Sequence, residues 1–319
     1  MSPFPFPVTR MLLPYDGSPG AREALKLAAR LALAGGEAVT GITLLMVVGG
    51  SYVARHVQNV DLRVARLTQE PNWQRLRQHH LEAEVYPVLE EGRDFLRSLG
   101  VTAPIELEVA EGRVGDEIVA RARAGAYSHL IMGRRGLSPV KALLLGSVTR
   151  RVLSLAENLT VVVAPLAEGT PPIAGLFPIL VPLDGSEASL AALRQAAGLA
   201  AALRPPAPGL LLLHVVDVAL LGAGESPPET WSLWQEQGER VLQQGRELLA
   251  AEGLGEMAEE LLLVGDPGDT IAATAQERGC PLIFMGSRGL SGLAKLLVGS
   301  VASRVVHLAT GSAVAVVYL

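Results

Sequence analysis

Met132-Gly133-Arg134-Arg135-Gly136 and, after a gap of nine residues, Gly146-Ser147-Val148 decide how the rest of this chain is read. The stretch follows an apolar run, His129-Leu130-Ile131, and leads into helically spaced Val148, Val152 and Leu155. Two glycines three apart permit positive φ and close backbone approach. A Gly-Ser pair at a helix start sets free backbone N–H groups, a hydroxyl and the positive helix pole beside an anion. The combination describes a phosphate cradle at a strand-to-helix crossing. The frame recurs from Met285, with Gly286-Ser287-Arg288-Gly289 and then Gly299-Ser300-Val301. A glycine-rich turn could arise without a ligand; the same spacing twice, each time between an apolar run and an amphipathic helix, favours the cradle.

The recurrence extends along the chain. Leu12-Leu13-Pro14-Tyr15-Asp16-Gly17-Ser18 matches Leu180-Val181-Pro182-Leu183-Asp184-Gly185-Ser186, and Gly92-Arg93-Asp94 matches Gly245-Arg246-Glu247. Gly112-x-x-Gly115-Asp116 matches Gly265-x-x-Gly268-Asp269. Two copies of one domain are therefore expected, over 8–167 and 179–319, with a Pro/Gly-containing linker at 168–178. The first copy carries an extra segment near 49–68. Strands alternate with helical patterns, which predicts an α/β fold with a parallel sheet and crossover helices. In the first copy the strands are expected near 10–14, 39–48, 105–110, 129–132 and 160–164. Ser18 is a candidate N-cap with Pro19 at the first helical position, and Gly35-Gly36 a helix end. A long helix is expected over 72–99, interrupted near Pro87, and another from Ser147 to about Asn158. Each copy ends in an apolar strand, Thr160-Val161-Val162-Val163-Ala164 and Ala313-Val314-Ala315-Val316-Val317-Tyr318, and pairing the two strands would cover both edges.

The totals exclude several classes. In 319 residues, 49% are apolar, 4% aromatic, and the net charge is −5, which speaks for an aliphatic core and against a nucleic-acid binder. Cys280 is the single cysteine, so no intrachain disulfide forms; its place at a strand start suggests a packed thiol. Met1-Ser2-Pro3-Phe4-Pro5 lacks the features of a signal peptide, and no apolar run reaches spanning length, so a cytoplasmic location without membrane contact is the expectation. No Gly-Lys pair, Gly-x-Gly-x-x-Gly, Gly-x-Ser-x-Gly or His-Glu-x-x-His occurs, which weakens P-loop, dehydrogenase and hydrolase readings.

On these motifs the chain resembles the universal stress protein family in its tandem form. The signature is Gly-x2-Gly-x9-Gly-[Ser/Thr] after the fourth strand with an Asp ending the first. Both copies hold it: Asp16, Gly133, Gly136, Gly146 and Ser147, then Asp184, Gly286, Gly289, Gly299 and Ser300. The resemblance implies two open, doubly wound five-stranded parallel sheets of the adenine nucleotide alpha hydrolase-like kind, with the last strands pairing within the chain as an internal pseudo-dimer. It implies ATP at the carboxyl ends of the central strands, where ligands of open α/β sheets generally lie. Asp16 and Asp184 would face the ribose and the backbone at Val47 and Val215 the adenine. The glycines with Ser147 and Ser300 would hold phosphates bridged by Mg2+ or Mn2+.

Some residues keep a second reading. Asp-Gly-Ser is ordinary turn and N-cap chemistry, and Ser147 and Ser300 can cap a helix while binding phosphate. Arg134, Arg135 and Arg288 lie in the loops, either neutralising phosphates or solvated. Pro139 stands where the second copy has Gly292 and stiffens the first loop. His214, matched by Met46, reads as packing at the crevice; His79-His80 as a solvated face; Trp231 and Trp234 as helix-packing anchors. No catalytic residue and no protein metal site emerges. The function implied is an ATP-binding, stress-response regulator with at most slow hydrolysis, as a monomer with internal pseudo-symmetry or a homodimer. An adenylate-handling enzyme, using segment 49–68 for its acceptor, and a nucleotide-free partner-binding module are the competing readings.

Overall fold

Residues 5–49, 78–79, 81–136, 145–166, 173–221, 228–289 and 298–319 are described by the computed structural model. The first half runs β1 (Arg10–Pro14), α1 (Pro19–Gly35), β2 (Gly41–Val48), α2 (Tyr86–Ser98), β3 (Ile105–Glu111), α3 (Val114–Ala124), β4 (His129–Met132), α4 (Ser147–Leu155) and β5 (Thr160–Val163). The second repeats it as β6 (Ile179–Pro182), α5 (Glu187–Leu203), β7 (Leu210–Asp217), α6 (Pro228–Ala250), β8 (Ala258–Gly265), α7 (Pro267–Glu277), β9 (Leu282–Gly286), α8 (Ser300–Leu308) and β10 (Ala313–Val317).

All ten strands form one sheet, ordered β3-β2-β1-β4-β5-β10-β9-β6-β7-β8. Every pairing is parallel except β5 with β10, which run antiparallel with Val163 opposite Val314 and Thr160 opposite Val317. The two terminal strands thus bury each other's edges, as expected, and fuse two five-stranded sheets about a pseudo-two-fold axis. Within each half the strand order reverses between β1 and β4, or β6 and β9.

Aliphatic residues pack both faces. One core gathers Leu25 and Leu27 of α1, Leu89 and Leu96 of α2, Leu193 and Leu199 of α5, and Leu242 and Leu249 of α6. The other gathers Ile118 of α3, Val152 of α4, Ile271 of α7 and Val305 of α8. Each core runs through both halves, so the halves share their hydrophobic stabilisation, on the order of 1.5–3 kcal/mol per fully buried large aliphatic side chain. No helix among the described residues is long and apolar enough to cross a membrane.

Local chemistry starts α1 as expected: the Ser18 hydroxyl accepts from Ala21 N–H at 3.2 Å, Pro19 occupies the first turn, and Gly36 (φ 51°) ends it. The helix expected over 72–99, interrupted near Pro87, is found over its described part. Residues 72–77 and 80 lie outside the described ones; 78–79 are helical, Leu81–Val85 form a π-turn, and α2 follows from Tyr86. Pro87 follows directly, at the second residue of α2, so the widened turn before it is the expected interruption. Helix α4 stops at Leu155, short of Asn158, which takes φ 52° in the following turn.

The repeated glycine pairs outside the cradle have packing roles. A Cβ at Gly92 would lie 2.8 Å from the Tyr15 ring, and one at Gly245 2.7 Å from Leu183. Gly115 and Gly268 let the stems of Arg151 and Arg304 cross a helix turn, and these arginines pair with Asp116 at 2.7 Å and Asp269 at 2.6 Å. Cys280 is buried, and desolvation pushes its thiol up to about 11, which leaves it unreactive as expected.

His129, wholly buried in β4, is pushed by desolvation down to about 3. It stays neutral in the fold, whereas the unfolded chain takes up a proton below about pH 6.5. The unfolded state then binds more protons, so stability is full above that pH and falls as the pH drops, by about 1.4 kcal/mol per unit. Urea unfolding at pH 7 and pH 5 should differ by about 2 kcal/mol from this group alone. His129→Leu, which copies Leu282 at the matched position, should remove that part of the difference.

Candidate functional site

The crevice begins where the first strand of each half ends. Tyr15 N–H donates to Leu45 C=O at 2.9 Å, and Leu183 N–H to Leu213 C=O at 2.8 Å, as the last rungs on that edge. Backbone groups alternate sides along a strand, so Val47 and Val215 turn their N–H and C=O to the same edge as Leu45 and Leu213, beyond the point where the neighbouring strand stops. β1 pairs with β4 only over Met11 and Leu12, and β6 with β9 only over Ile179 and Leu180, before the strands part. A cleft opens at each position, about 100 Å3 in the first half and about 220 Å3 in the second.

Asp16 and Asp184 follow these strand ends. Ser18 N–H donates to Asp16 Oδ1 at 3.0 Å; Asp184 Oδ1 accepts from Ser186 N–H at 3.0 Å and from its hydroxyl at 2.6 Å. One carboxylate oxygen is thereby fixed in the turn. The other faces the loop: a Cβ on Gly136 would collide with Asp16 Oδ2, and one on Gly289 with Asp184 Oδ2. The second glycine of the motif therefore leaves this oxygen facing the cleft instead of a side chain.

The first glycine serves the scaffold. A Cβ on Gly133 would lie 2.5 Å from the carbonyl carbon of Gly20 and 2.8 Å from Ala21 N; one on Gly286 would lie 2.9 Å from Ser189 N. The third glycine closes the loop onto the helix, with Gly146 N–H donating to Arg134 C=O at 3.1 Å and Gly299 N–H to Ser287 C=O at 2.7 Å. Gly146 and Gly299 are the N-caps of α4 and α8 and offer no side-chain acceptor. The first-turn N–H groups and the exposed Ser147 and Ser300 thus stand at a positive helix end beside the cleft. Ten of the twelve residues singled out from sequence line the two clefts, Asp16, Val47, Gly133 and Gly136 in the first and Asp184, Val215, Gly286, Gly289, Gly299 and Ser300 in the second; Gly146 and Ser147 stand just before Val148 and Thr149 of the first lining.

The first loop has one tie that the second lacks: Thr149 Oγ1 donates to Gly133 C=O at 3.1 Å and Arg134 C=O at 3.2 Å, where the second half has Ala302. Arg135 lines the first cleft and Arg288 the second. Arg134 corrects the expectation, being neither solvated nor turned to phosphate. It is 3% exposed, and its guanidinium donates to the carbonyls of Val306 and, at 2.8 Å, Ala309 in the other half. Burial, then Arg135, lowers its pKa to about 10, so it keeps its charge at neutral pH. Its matched residue, Ser287, gave no sequence signal for such a contact.

His214 donates through Nδ1 to Leu183 C=O at 2.8 Å, and a Cβ on Gly238 of α6 would lie 3.5 Å from its Nε2. Nδ1 is thus tied to the strand end, and the ring packs at the crevice wall, as expected from Met46 at the matched position. His79 is exposed, and Trp234 is half-buried on α6. Pro139 and Gly292 lie outside the described residues. Sequence reasoning missed the cleft walls from α3 and α7, Val114 and Ile118 in the first half, Pro267 and Ile271 in the second. The repeated Gly-x-x-Gly-Asp was their only trace.

Comparison with known proteins agrees with this geometry. The profile described as the universal stress protein family matches residues 7–164 and 176–317. Universal stress protein YxiE of Bacillus subtilis is 33% identical over 142 residues, 41% of this chain and 93% of that protein. A universal stress protein of Methanocaldococcus jannaschii is 32% identical over 132 residues, 40% of this chain and 74% of that protein. The crystal structure of a universal stress protein from Archaeoglobus fulgidus shares the fold, with a TM-score of 0.65 at 24% identity over 97% of this chain and 98% of that one. With both halves matched, the chain belongs to the universal stress protein family and carries two such domains in one polypeptide.

Proposed function

We propose that this protein is a nucleotide-dependent stress-response regulator that binds ATP in both crevices. The observation that carries the reading is the joint geometry at each strand end: a carboxylate oxygen, an outward strand edge and a helix N-terminus lacking a side-chain cap, around one glycine-lined cleft. A nucleotide supplies the complementary groups, with ribose hydroxyls for Asp16 or Asp184 and an adenine edge for the backbone of Val47 or Val215. Its phosphates suit the N–H groups of the cradle and the hydroxyl of Ser147 or Ser300. Mg2+ or Mn2+ would neutralise phosphate charge and take most of its ligands from phosphate oxygens, since no group of three or more His, Cys, Asp or Glu among the described residues could hold it.

The mechanism is binding, with orientation supplied by the fold. Asp16 and Asp184 are held by their own turns, so little side-chain entropy is lost when the ribose docks. Among the described residues the first cleft's lining holds no imidazole, and in the second His214 gives its Nδ1–H to a backbone carbonyl, not to the carboxylate that would stabilise an imidazolium. Hydrolysis should therefore be far slower than the roughly 10 per second of a typical enzyme. Steady-state phosphate and pyrophosphate release from the intact chain with ATP and Mg2+ checks this. Turnover at enzymatic rates would favour the adenylate-handling reading, whose acceptor segment, 49–68, lies outside the described residues from 50 on.

A further inference from the structure

We infer that the two clefts are coupled, and that Arg134 and Tyr318 are the positioning residues that carry the coupling. The inference rests on the nucleotide reading of both clefts. Arg134 lies within the first cradle: its carbonyl accepts from Gly146 N–H and from Thr149 Oγ1, so its backbone is part of the loop around the first cleft. Its side chain leaves that half and holds the C-terminal carbonyls of α8. The N-terminus of α8, Gly299-Ser300, is the phosphate end of the second cleft. Nine helical residues, about 13 Å, separate the two ends. A cation at the negative helix pole fixes the helix whose positive pole faces the second ligand.

A second link runs the other way. Ser287, in the second cradle, donates its N–H to Val317 C=O at 2.9 Å. The next residue, Tyr318, donates its hydroxyl to Leu153 C=O at 2.6 Å, in the last turn of α4. The first turn of α4 lines the first cleft through Val148 and Thr149, which puts its N-terminus at the phosphate end on the nucleotide reading. Each cradle therefore grips the far end of the helix that serves the other. Neither residue follows the repeat: Ser287 matches Arg134, and strand register matches Tyr318 with Pro165. Both side chains are buried, and both end on carbonyls of a helix C-terminus in the opposite half. Helix ends need such partners, but two unlike residues meeting that need across the pseudo-two-fold join the sites mechanically.

The sign follows from ordering. ATP in the first cradle fixes the loop that carries Arg134, and so fixes α8 before the second ATP arrives, which tightens the second site. Coupling is reciprocal, so occupation of the second cleft tightens the first by the same factor. The test is calorimetry of ATP with Mg2+ on the full chain, in a four-variant cycle: Arg134 or Arg134→Met, each with the first cleft open or blocked by Gly146→Val. With Arg134 present, blocking the first cleft should weaken ATP binding at the second about five-fold or more. With Arg134→Met, blocking should change it less than about two-fold. An equal effect of blocking in both backgrounds, or none in either, overturns the coupling. ATP failing to bind even the unaltered chain overturns the nucleotide reading itself, a different result. Tyr318→Phe removes a single oxygen and tests the other direction if Arg134→Met does not fold. The effect of Gly299→Val on first-cleft affinity should shrink at least two-fold in that background, and an unchanged effect overturns the proposal.

Discussion

Gly299→Val should weaken ATP binding at the second cleft at least about a hundred-fold, about 2.7 kcal/mol, while leaving the protein folded. The residue has φ −60° and ψ 155°, which valine adopts without strain. Its missing Cβ would lie 3.1 Å from Ser287 C=O and 3.5 Å from Arg288 Cα, the backbone of the cradle loop. Valine methyl groups must then push the loop off the start of α8 or fill the space where N–H groups meet phosphate. Both outcomes remove the close backbone approach that phosphate needs. The hydrophobic cores are not touched, so the urea midpoint should move little. ATP titration and urea unfolding of the same preparation check both parts.

Gly133→Val should do the opposite and lower stability by about 3 kcal/mol or more. The obstacle here is backbone on every side, with Gly20 C at 2.5 Å, Gly20 O at 2.6 Å and Ala21 N at 2.8 Å. These atoms form the first turn of α1, anchored by the Ser18 cap and by the core residues Leu25 and Leu27. No rotamer change can relieve the clash, so β4 and α1 must separate along part of a shared core. A fall in both the urea midpoint and the melting temperature is the expected result. Wild-type stability would show that the close approach of loop and helix is dispensable. Two glycines of one signature thus act at different levels, one in the ligand's space and one in the scaffold's.

That division explains what was legible in the sequence. Asp16, the cradle glycines and the strand ends could be read because each appears twice, at one spacing and between the same pair of elements. The ten-stranded sheet followed from the same repetition, once the two apolar terminal strands, β5 and β10, were seen to need partners. Arg134 and Tyr318 were hidden for the converse reason. Each breaks the repeat, and each finds its partner more than 160 residues away, which no local pattern encodes. The break in the long helix before α2 was legible because Pro87 marks it. Inside a helix proline removes a hydrogen bond, and the chain answers with the π-turn at Leu81–Val85, whose form no local pattern announced. His129 was read as part of the apolar run with Leu130 and Ile131, and it is buried as completely as they are, with strands on both sides.

The most direct test of two nucleotide sites is the count of ATP bound per intact chain at saturation, measured by equilibrium dialysis with Mg2+. Two equivalents are predicted for the unaltered protein, falling to one in Gly299→Val; no saturable binding at millimolar ATP would contradict the assignment of these clefts.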